Sequence, residues 1–98
     1  MDWPFDDPPN VAVFTSADIL DRGEWIYYVG HDDDDGAWQF QSYAGAPDDL
    51  AEARICSLQH MLNRDPRIAE LADLPYGWCA WRESPTSPWQ RKPREGED

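Results

Sequence analysis

The stretch WIYYVGHDDDDGAWQFQ, residues 25–41, decides the fold of this chain. Two β-prone runs, 25–29 and 37–41, flank an acidic segment that ends in Asp35-Gly36, a favoured pair for a two-residue type I′ turn. With that turn, or with a four-residue loop, most of the aromatic side chains of the two runs fall on one face, because both loop lengths preserve the alternation of side chains. The stretch therefore predicts a central β-hairpin with one buried aromatic face and one more polar face.

The segment before the hairpin predicts an arm, a strand and one helical turn. Residues 1–10 are rich in proline and read as an extended arm, which Trp3 and Phe5 are expected to pin to the core. Residues 11–15 are short and β-prone, which is typical of a first strand. Ser16 then stands where a helical turn would need its N-cap residue.

The segment after the hairpin predicts a short strand and two helices. Residues 54–56 are read as the strand and residues 57–63 as a helix capped by Ser57, although one helix over 48–63 is an alternative. A second helix over 66–72 begins with proline directly after an aspartate, which is the usual order at a helix start.

The C-terminal part predicts one more strand and then a tail. Residues 77–82 carry two tryptophans and read as a strand, whereas 84–98 are proline-rich and charged and read as a flexible tail. The whole chain is thus predicted to be one α+β domain over residues 11–83. It would contain a small antiparallel sheet of four to five strands, the central hairpin, and two short helices packed on one face.

The charge of the chain is unevenly distributed along its length. Residues 1–53 contain thirteen Asp or Glu and one Arg, a net charge of −12, whereas residues 54–98 contain seven residues of each sign. An acidic surface repels nucleic-acid phosphates and anionic membranes, and it attracts basic proteins. The composition therefore predicts a basic partner protein and no nucleic-acid or membrane partner, with solubility alone as the alternative purpose of the charge.

The sequence also predicts a cytoplasmic location. Its longest apolar run, residues 25–29, is far shorter than the roughly 20 residues that a membrane-spanning helix needs. The acidic, proline-rich start lacks the features of a signal peptide. In a reducing compartment Cys56 and Cys79 would be unpaired and buried.

No metal or cofactor site is predicted from the sequence. If Gly36 were the sixth residue of an EF-hand loop, His31 and Ser42 would occupy the first and twelfth positions, where that loop needs carboxylates. The residue types that zinc prefers lack the spacing of a compact zinc site; they are His31, Cys56, His60 and Cys79.

No catalytic residue is predicted either. Cys56 and His60 lie four positions apart, which would bring them together on one helix, but the preferred strand over residues 54–56 removes that argument. The chain contains no phosphate-binding glycine loop and no serine-hydrolase or zinc-protease motif.

The candidate partner-binding residues combine acidic side chains with one tryptophan. Trp78 and Trp81 fall on opposite faces of one predicted strand, so an exposed member beside an acidic rim would resemble an interface anchor. The predicted set is Asp32, Asp33, Asp34, Asp35, Asp48, Asp49 and Trp81.

Several short patterns occur in one order along the chain. They are Val13-Phe14-Thr15, the strand at 25–29, Gly36-Ala37-Trp38-Gln39-Phe40, Asp65-Pro66-Arg67-Ile68-Ala69-Glu70-Leu71, and Leu74-Pro75-Tyr76-Gly77. This order resembles the immunity-protein-33 family of small bacterial domains, some of which are predicted to neutralise toxins used between competing bacteria. The resemblance covers residues 11–83 and implies no catalytic residues. The chain departs from the family pattern at Ser42-Tyr43-Ala44-Gly45, where the family has a Gly-Asp-Glu element.

Together these observations predict a non-enzymatic acidic binding protein, of the immunity type, that sequesters a basic partner protein. A small housekeeping or regulatory domain with no charge-driven partner is the first alternative. An enzyme whose site the sequence does not reveal is the second. The sequence leaves the identity of the partner and the oligomeric state open.

Overall fold

The computed structural model of the chain describes residues 3–45 and 49–94. Within these ranges the chain forms six strands, two short α-helices and two 3₁₀ helices. In chain order they are β1 (Ala12–Ser16), α1 (Ala17–Leu20), β2 (Tyr28–His31), β3 (Trp38–Gln41), the first 3₁₀ helix (Leu50–Glu52), β4 (Ala53–Ser57), α2 (Leu58–Arg64), the second 3₁₀ helix (Pro66–Leu71), β5 (Trp78–Trp81) and β6 (Gln90–Pro93).

The strands form one mixed sheet in the order β4-β1-β3-β2-β5-β6. Strand β1 runs parallel to β3, and every other neighbouring pair is antiparallel. The α+β class is therefore confirmed, whereas the prediction of a purely antiparallel sheet of four to five strands is wrong. The parallel pair arises because β2 runs opposite to β1 but lies two positions away from it in the sheet. The hairpin then places β3, which runs in the direction of β1, between them.

The central hairpin has the predicted parity. Val29 pairs with Phe40, and His31 pairs with Trp38. The loop is the four-residue version over residues 33–36, closed by a 2.8 Å hydrogen bond from the Asp32 amide to the Ala37 carbonyl. The aromatic side chains of β3 consequently face the core, as the alternation indicated.

The first strand of the hairpin begins at Tyr28, three residues later than predicted. The carbonyl of Ile26 accepts a 2.9 Å hydrogen bond from Nε of Arg82 rather than from a neighbouring strand. Tyr27 still makes single backbone hydrogen bonds with Gln41 and Arg82, and the regular pairing starts at Tyr28.

One hydrophobic core lies on one face of the sheet, which we call the covered face. Inward-facing residues of the strands pack there against α1, α2, the second 3₁₀ helix and the N-terminal arm. The buried cluster contains Phe5, Val13, Ile19, Ile26, Val29, Trp38, Phe40, Leu58, Met61, Ile68, Leu71, Leu74 and Ala80. Burial of Phe5, with Trp3 packed against the cluster, confirms that aromatic residues pin the arm.

The helices differ from the prediction in detail. Ser57 caps α2 by accepting a hydrogen bond from the His60 amide, as expected. Ser16 occupies the N-cap position of α1, but its hydroxyl donates to the carboxylate of Asp18 and does not cap the helix. The segment that begins at Pro66 is a 3₁₀ helix, Pro66–Leu71, and not the predicted α-helix.

The sixth strand lies in the segment that was predicted to be a flexible tail. Residues 90–93 pair with β5, and Arg91 donates from Nη2 to the Glu70 carbonyl at 2.8 Å. The ring of Trp89, directly before β6, packs over the guanidinium of Arg82 at 4.2 Å and anchors the start of this strand. The ordered domain therefore extends beyond residue 83.

Candidate functional site

The second face of the sheet, which we call the open face, lies opposite the side chains of α1 and α2 that enter the core. Strands β1 and β4 expose apolar side chains there: Phe14 is 45% exposed, and Ile55, directly opposite it in the neighbouring strand, is 65% exposed. Leu50, from the 3₁₀ helix before β4, is 91% exposed. These three side chains make the most apolar part of the open face.

A groove of about 720 Å³ runs across this part of the open face. Its apolar wall consists of Phe14, Leu50 and Ile55, with Gln39 on the floor beside them. At one end the groove reaches the carboxylates of Asp32 and Asp35. The site is thus an exposed apolar strip that ends at negative charge.

The other half of the open face is filled by its own side chains. The ring of Tyr28 lies across Gly30, where an added Cβ would come within 3.3 Å of it. Burial raises the pKa of Tyr28 to about 12, and the neighbouring thiol of Cys79 contributes to this rise. The Tyr28 hydroxyl is therefore neutral at physiological pH. Trp81 faces Tyr28 across the strand pair, and the Lys92 ammonium lies 5.4 Å from the Trp81 ring.

The acidic tip, residues Asp32 to Asp35, closes the hairpin loop. Asp32 accepts hydrogen bonds from Gln39 at 2.8 Å and from Arg94 at 2.5 Å. Asp35 accepts a hydrogen bond from the Ala37 amide at 3.0 Å, while Asp33 lies against Gly77. The Arg94 ion pair offsets one of the four negative charges, so the tip keeps a net charge of about −3.

Asp32, Asp34 and Asp35 place one carboxylate oxygen each within 4.8 Å of one another. In residues 3–45 and 49–94 this is the only group of three or more His, Cys, Asp or Glu side chains with the proximity that a metal ion requires. Both oxygens of Asp32 already accept hydrogen bonds from Gln39 and Arg94, so the cluster lacks the free ligand set of a calcium or magnesium site.

The structure places the predicted site residues at three different locations. The four aspartates of the tip lie together, as the sequence requires. Asp49 caps the first 3₁₀ helix by accepting a 3.0 Å hydrogen bond from the Ala51 amide, next to the exposed Leu50. Trp81 lies on the open face in the half that Tyr28 fills, outside the groove. Asp48 lies outside the described residues.

The cysteine and histidine side chains that were considered for catalysis or zinc binding do not come together in one site. Cys56 lies in β4 and His60 lies in α2 beyond the Ser57 cap, so the two do not share a helix face. Burial raises the pKa of the Cys56 thiol above its ordinary value, which disfavours the nucleophilic thiolate. Cys79 lies in β5 and His31 in β2, apart from that pair.

The apolar wall of the groove was not among the predicted site residues; it consists of Phe14, Leu50 and Ile55. The signal was present, because Val13-Phe14 and Ile55-Cys56 each put apolar residues on both faces of a strand. A strand that is covered on one face only needs a polar residue at every second position. An apolar residue at that position therefore indicates an apolar surface that the domain itself does not bury.

No helix in the described part of the chain combines the length and the apolar character needed to cross a membrane. We found no family model, no curated protein and no solved structure that matches this chain. The resemblance to the immunity-protein-33 family remains an interpretation of the sequence patterns.

Proposed function

We propose that the chain is a non-enzymatic binding protein that docks a basic partner protein on the groove and the acidic tip. The observation that carries the proposal is the groove itself, in which exposed apolar side chains run directly into the carboxylates of Asp32 and Asp35. Contiguous exposed apolar surface in a small domain is typical of an interaction site. The adjoining negative charge favours a partner whose apolar anchor is flanked by Lys or Arg.

The charge of the whole chain supports the same partner. With a net charge of −12, the domain attracts cationic proteins over long distances and accelerates their encounter at low ionic strength. Short-range specificity would then come from the apolar wall, because a desolvated anchor side chain contributes more affinity than charges at the exposed rim. An immunity-type role, in which the partner is a basic toxin in the cytoplasm, is the form of this proposal that the family resemblance favours.

The experiment compares the proteins that immobilised variants retain from lysates of the native cell and of its competitors at low ionic strength. The groove variant is Phe14→Ser/Ile55→Ser, and the tip variant is Asp34→Lys/Asp35→Lys. A true partner is basic, is retained by the wild type, and loses about tenfold or more in affinity with the groove variant once it is purified. The tip variant slows its association and reduces the dependence of the rate on salt.

Two control variants separate a specific surface from general acidity. Glu83→Lys/Glu70→Lys changes the net charge by the same amount as the tip variant, at exposed positions on other elements. Tyr43→Ser removes an exposed aromatic residue that does not line the groove. A partner that is lost equally with the controls, or retained fully by the groove variant, would contradict the proposed docking surface.

A further inference from the structure

A second cavity lies on the side of the sheet opposite the groove, between the N-terminal arm and the turn that precedes β5. Its volume is about 370 Å³. The side chains that matter to its chemistry are Asp6, Asp7, His31, Trp38, Asp73 and Tyr76. We call it the arm cavity.

His31 lines one side of the arm cavity and is held there by a hydrogen bond from its Nδ1. Its Nδ1 lies 2.8 Å from the carbonyl oxygen of Leu74, and since a carbonyl can only accept, Nδ1 carries the hydrogen. In the neutral ring Nε2 is then an acceptor. The residue is 6% exposed, and no group in residues 3–45 or 49–94 bonds this buried Nε2.

The ring of His31 cannot turn easily to find another partner. It stacks on Trp38 with a centroid distance of 3.8 Å and an interplanar angle of 12°. Tyr76 meets it edge-on at 4.6 Å. A buried acceptor without a donor costs free energy, so a ligand that supplies an N–H group to Nε2 would gain that energy on binding.

The carboxylates around the arm cavity keep oxygen atoms for a ligand. Asp7 uses Oδ2 to accept a 2.7 Å hydrogen bond from the Trp38 indole, and Asp73 uses Oδ1 in a 3.0 Å ion pair with Arg91. Asp6 takes part in no ion pair within the described part of the chain. No Lys or Arg is among the described residues that line the cavity, so the lining is negative overall.

We propose that the arm cavity binds an organic cation that carries N–H groups, namely a primary ammonium or a guanidinium. Such a group donates to Nε2 of His31 and to the aspartate oxygens, and the 66% exposed ring of Tyr76 offers an aromatic face to the cation. An anion is repelled by the three aspartates, and a quaternary ammonium has no hydrogen to donate. The cation comes either from a small free amine or from a Lys or Arg side chain of a protein.

This site is separate from the groove on the open face and does not depend on the proposed docking there. Phe14→Ser/Ile55→Ser, which impairs the groove, leaves the affinity of the arm cavity unchanged. The two proposals can therefore fail independently.

The test is a titration of the isotopically labelled chain by NMR with methylammonium, methylguanidinium and tetramethylammonium. The first two produce saturable shifts of the Trp38 indole N–H and of the His31 Nε2 resonance, and tetramethylammonium binds at least about threefold more weakly because it cannot donate a hydrogen bond. A blocked peptide with one central arginine is the second arm. Tighter binding of the peptide than of methylguanidinium assigns the cation to a protein side chain, and the reverse assigns it to a free amine.

Two exposed residues allow variants that spare the core. Asp6→Asn and Tyr76→Ala each weaken the binding of methylguanidinium by roughly two- to fivefold. The matched control is Glu83→Gln, which removes the same charge at the far end of β5 and changes the affinity by less than about twofold. An unshifted His31 Nε2 resonance, equal affinity for tetramethylammonium, or equal weakening by Glu83→Gln overturns the proposal.

Discussion

The two faces of the sheet are formed by the same strands but differ in how far their apolar side chains are buried. On the covered face, Val13 and Phe40 are essentially inaccessible to solvent. On the open face, Phe14 and Ile55, each one position from a residue that faces the core side, remain about half exposed or more. The difference arises because α1, α2, the second 3₁₀ helix and the arm all lie on one side.

This contrast separates residues that fold the domain from residues that the fold does not need. Burial of a Phe or Ile side chain contributes about 1.5–3 kcal/mol, which the covered face gains and the open face forgoes. Exposed apolar side chains also promote association. Their position beside an acidic loop is the basis of the proposed docking surface.

The largest loss of stability is expected at Arg82, a fully buried residue at the end of the covered face. Its guanidinium donates to the carbonyls of Ile26 and Pro85 and forms an ion pair with Asp65. Arg82→Met leaves the buried Ile26 carbonyl without this donor and the partly buried Asp65 without its ion-pair partner, so we expect the free energy of unfolding to fall by about 3–5 kcal/mol. Guanidinium denaturation followed by tryptophan fluorescence measures this loss.

The control for Arg82 is another arginine with an exposed ion pair. Arg91→Met removes the contact with Asp73 and is expected to lower the free energy of unfolding by less than about 1 kcal/mol. Comparable losses from the two variants would show that burial does not distinguish these arginines.

The most direct test of the two faces substitutes one phenylalanine on each. Phe40→Ala removes a ring from the centre of the covered face and is expected to lower the free energy of unfolding by about 3–4 kcal/mol. Phe14→Ala, on the adjacent strand but facing outward, is expected to lower it by about 1 kcal/mol or less. Denaturant midpoints of the two variants, measured side by side, decide the matter. A loss above about 2 kcal/mol for Phe14→Ala would mean that the open face contributes to the core.

A moderate, pH-dependent effect is expected at Asp18, which fastens α1 to the sheet. Burial raises the pKa of its carboxyl, but hydrogen bonds from the hydroxyls of Ser16 and Ser42, together with the nearby charge of Arg22, lower it by more. The net pKa lies below the ordinary value of 3.8. A lowered pKa stabilises the folded state above the unfolded value, and this contribution disappears as the pH falls through the folded value.

Asp18→Asn should therefore lower the free energy of unfolding by about 1 kcal/mol near pH 7 and by much less near pH 3. Thermal unfolding of wild type and variant across this range measures the difference. Asp21→Asn is the neighbouring control, since Asp21 makes only an exposed ion pair with Arg54. A constant difference between wild type and Asp18→Asn at every pH would rule out the titration of Asp18 as its cause.

The smallest effect on stability is expected at Arg94, which pairs with Asp32 at the acidic tip. Arg94→Gln is expected to change the free energy of unfolding by less than about 1 kcal/mol, because the pair is partly exposed. It also restores the full charge of the tip, so a basic partner should associate faster, measured by stopped-flow fluorescence at low salt. Slower association with Arg94→Gln would show that Arg94 itself contacts the partner.

Local sequence signals predicted the elements whose cause is local. The hairpin parity followed from alternation alone, and the Ser57 cap of α2 followed from one hydroxyl at the right position. Elements that depend on contacts with residues distant in the sequence were not predicted. Strand β6 forms because Trp89 and Arg91 contact Arg82 and Glu70, and its proline and charged residues indicate no strand by themselves.

The candidate site divides in the same way. The acidic tip could be located from the sequence, because four consecutive aspartates before a glycine occupy one loop in any hairpin register. The groove could not, because Phe14 and Ile55 become neighbours only when β1 pairs with β4, which lies about forty residues away in the sequence. The arm cavity likewise requires the arm, the hairpin and the turn after Leu74 to meet.

The amino-acid sequence by itself determined the α+β class, the central hairpin with its buried aromatic face, and the concentration of negative charge in the first half. Each of these depends on residue type and on the alternation of neighbouring side chains. Only the tertiary structure decided that the sheet is mixed and six-stranded, that Arg82 is buried, and which apolar residues remain exposed. Those outcomes depend on which distant segments pack together, since the free energy of burial belongs to contacts between segments and not to any segment alone.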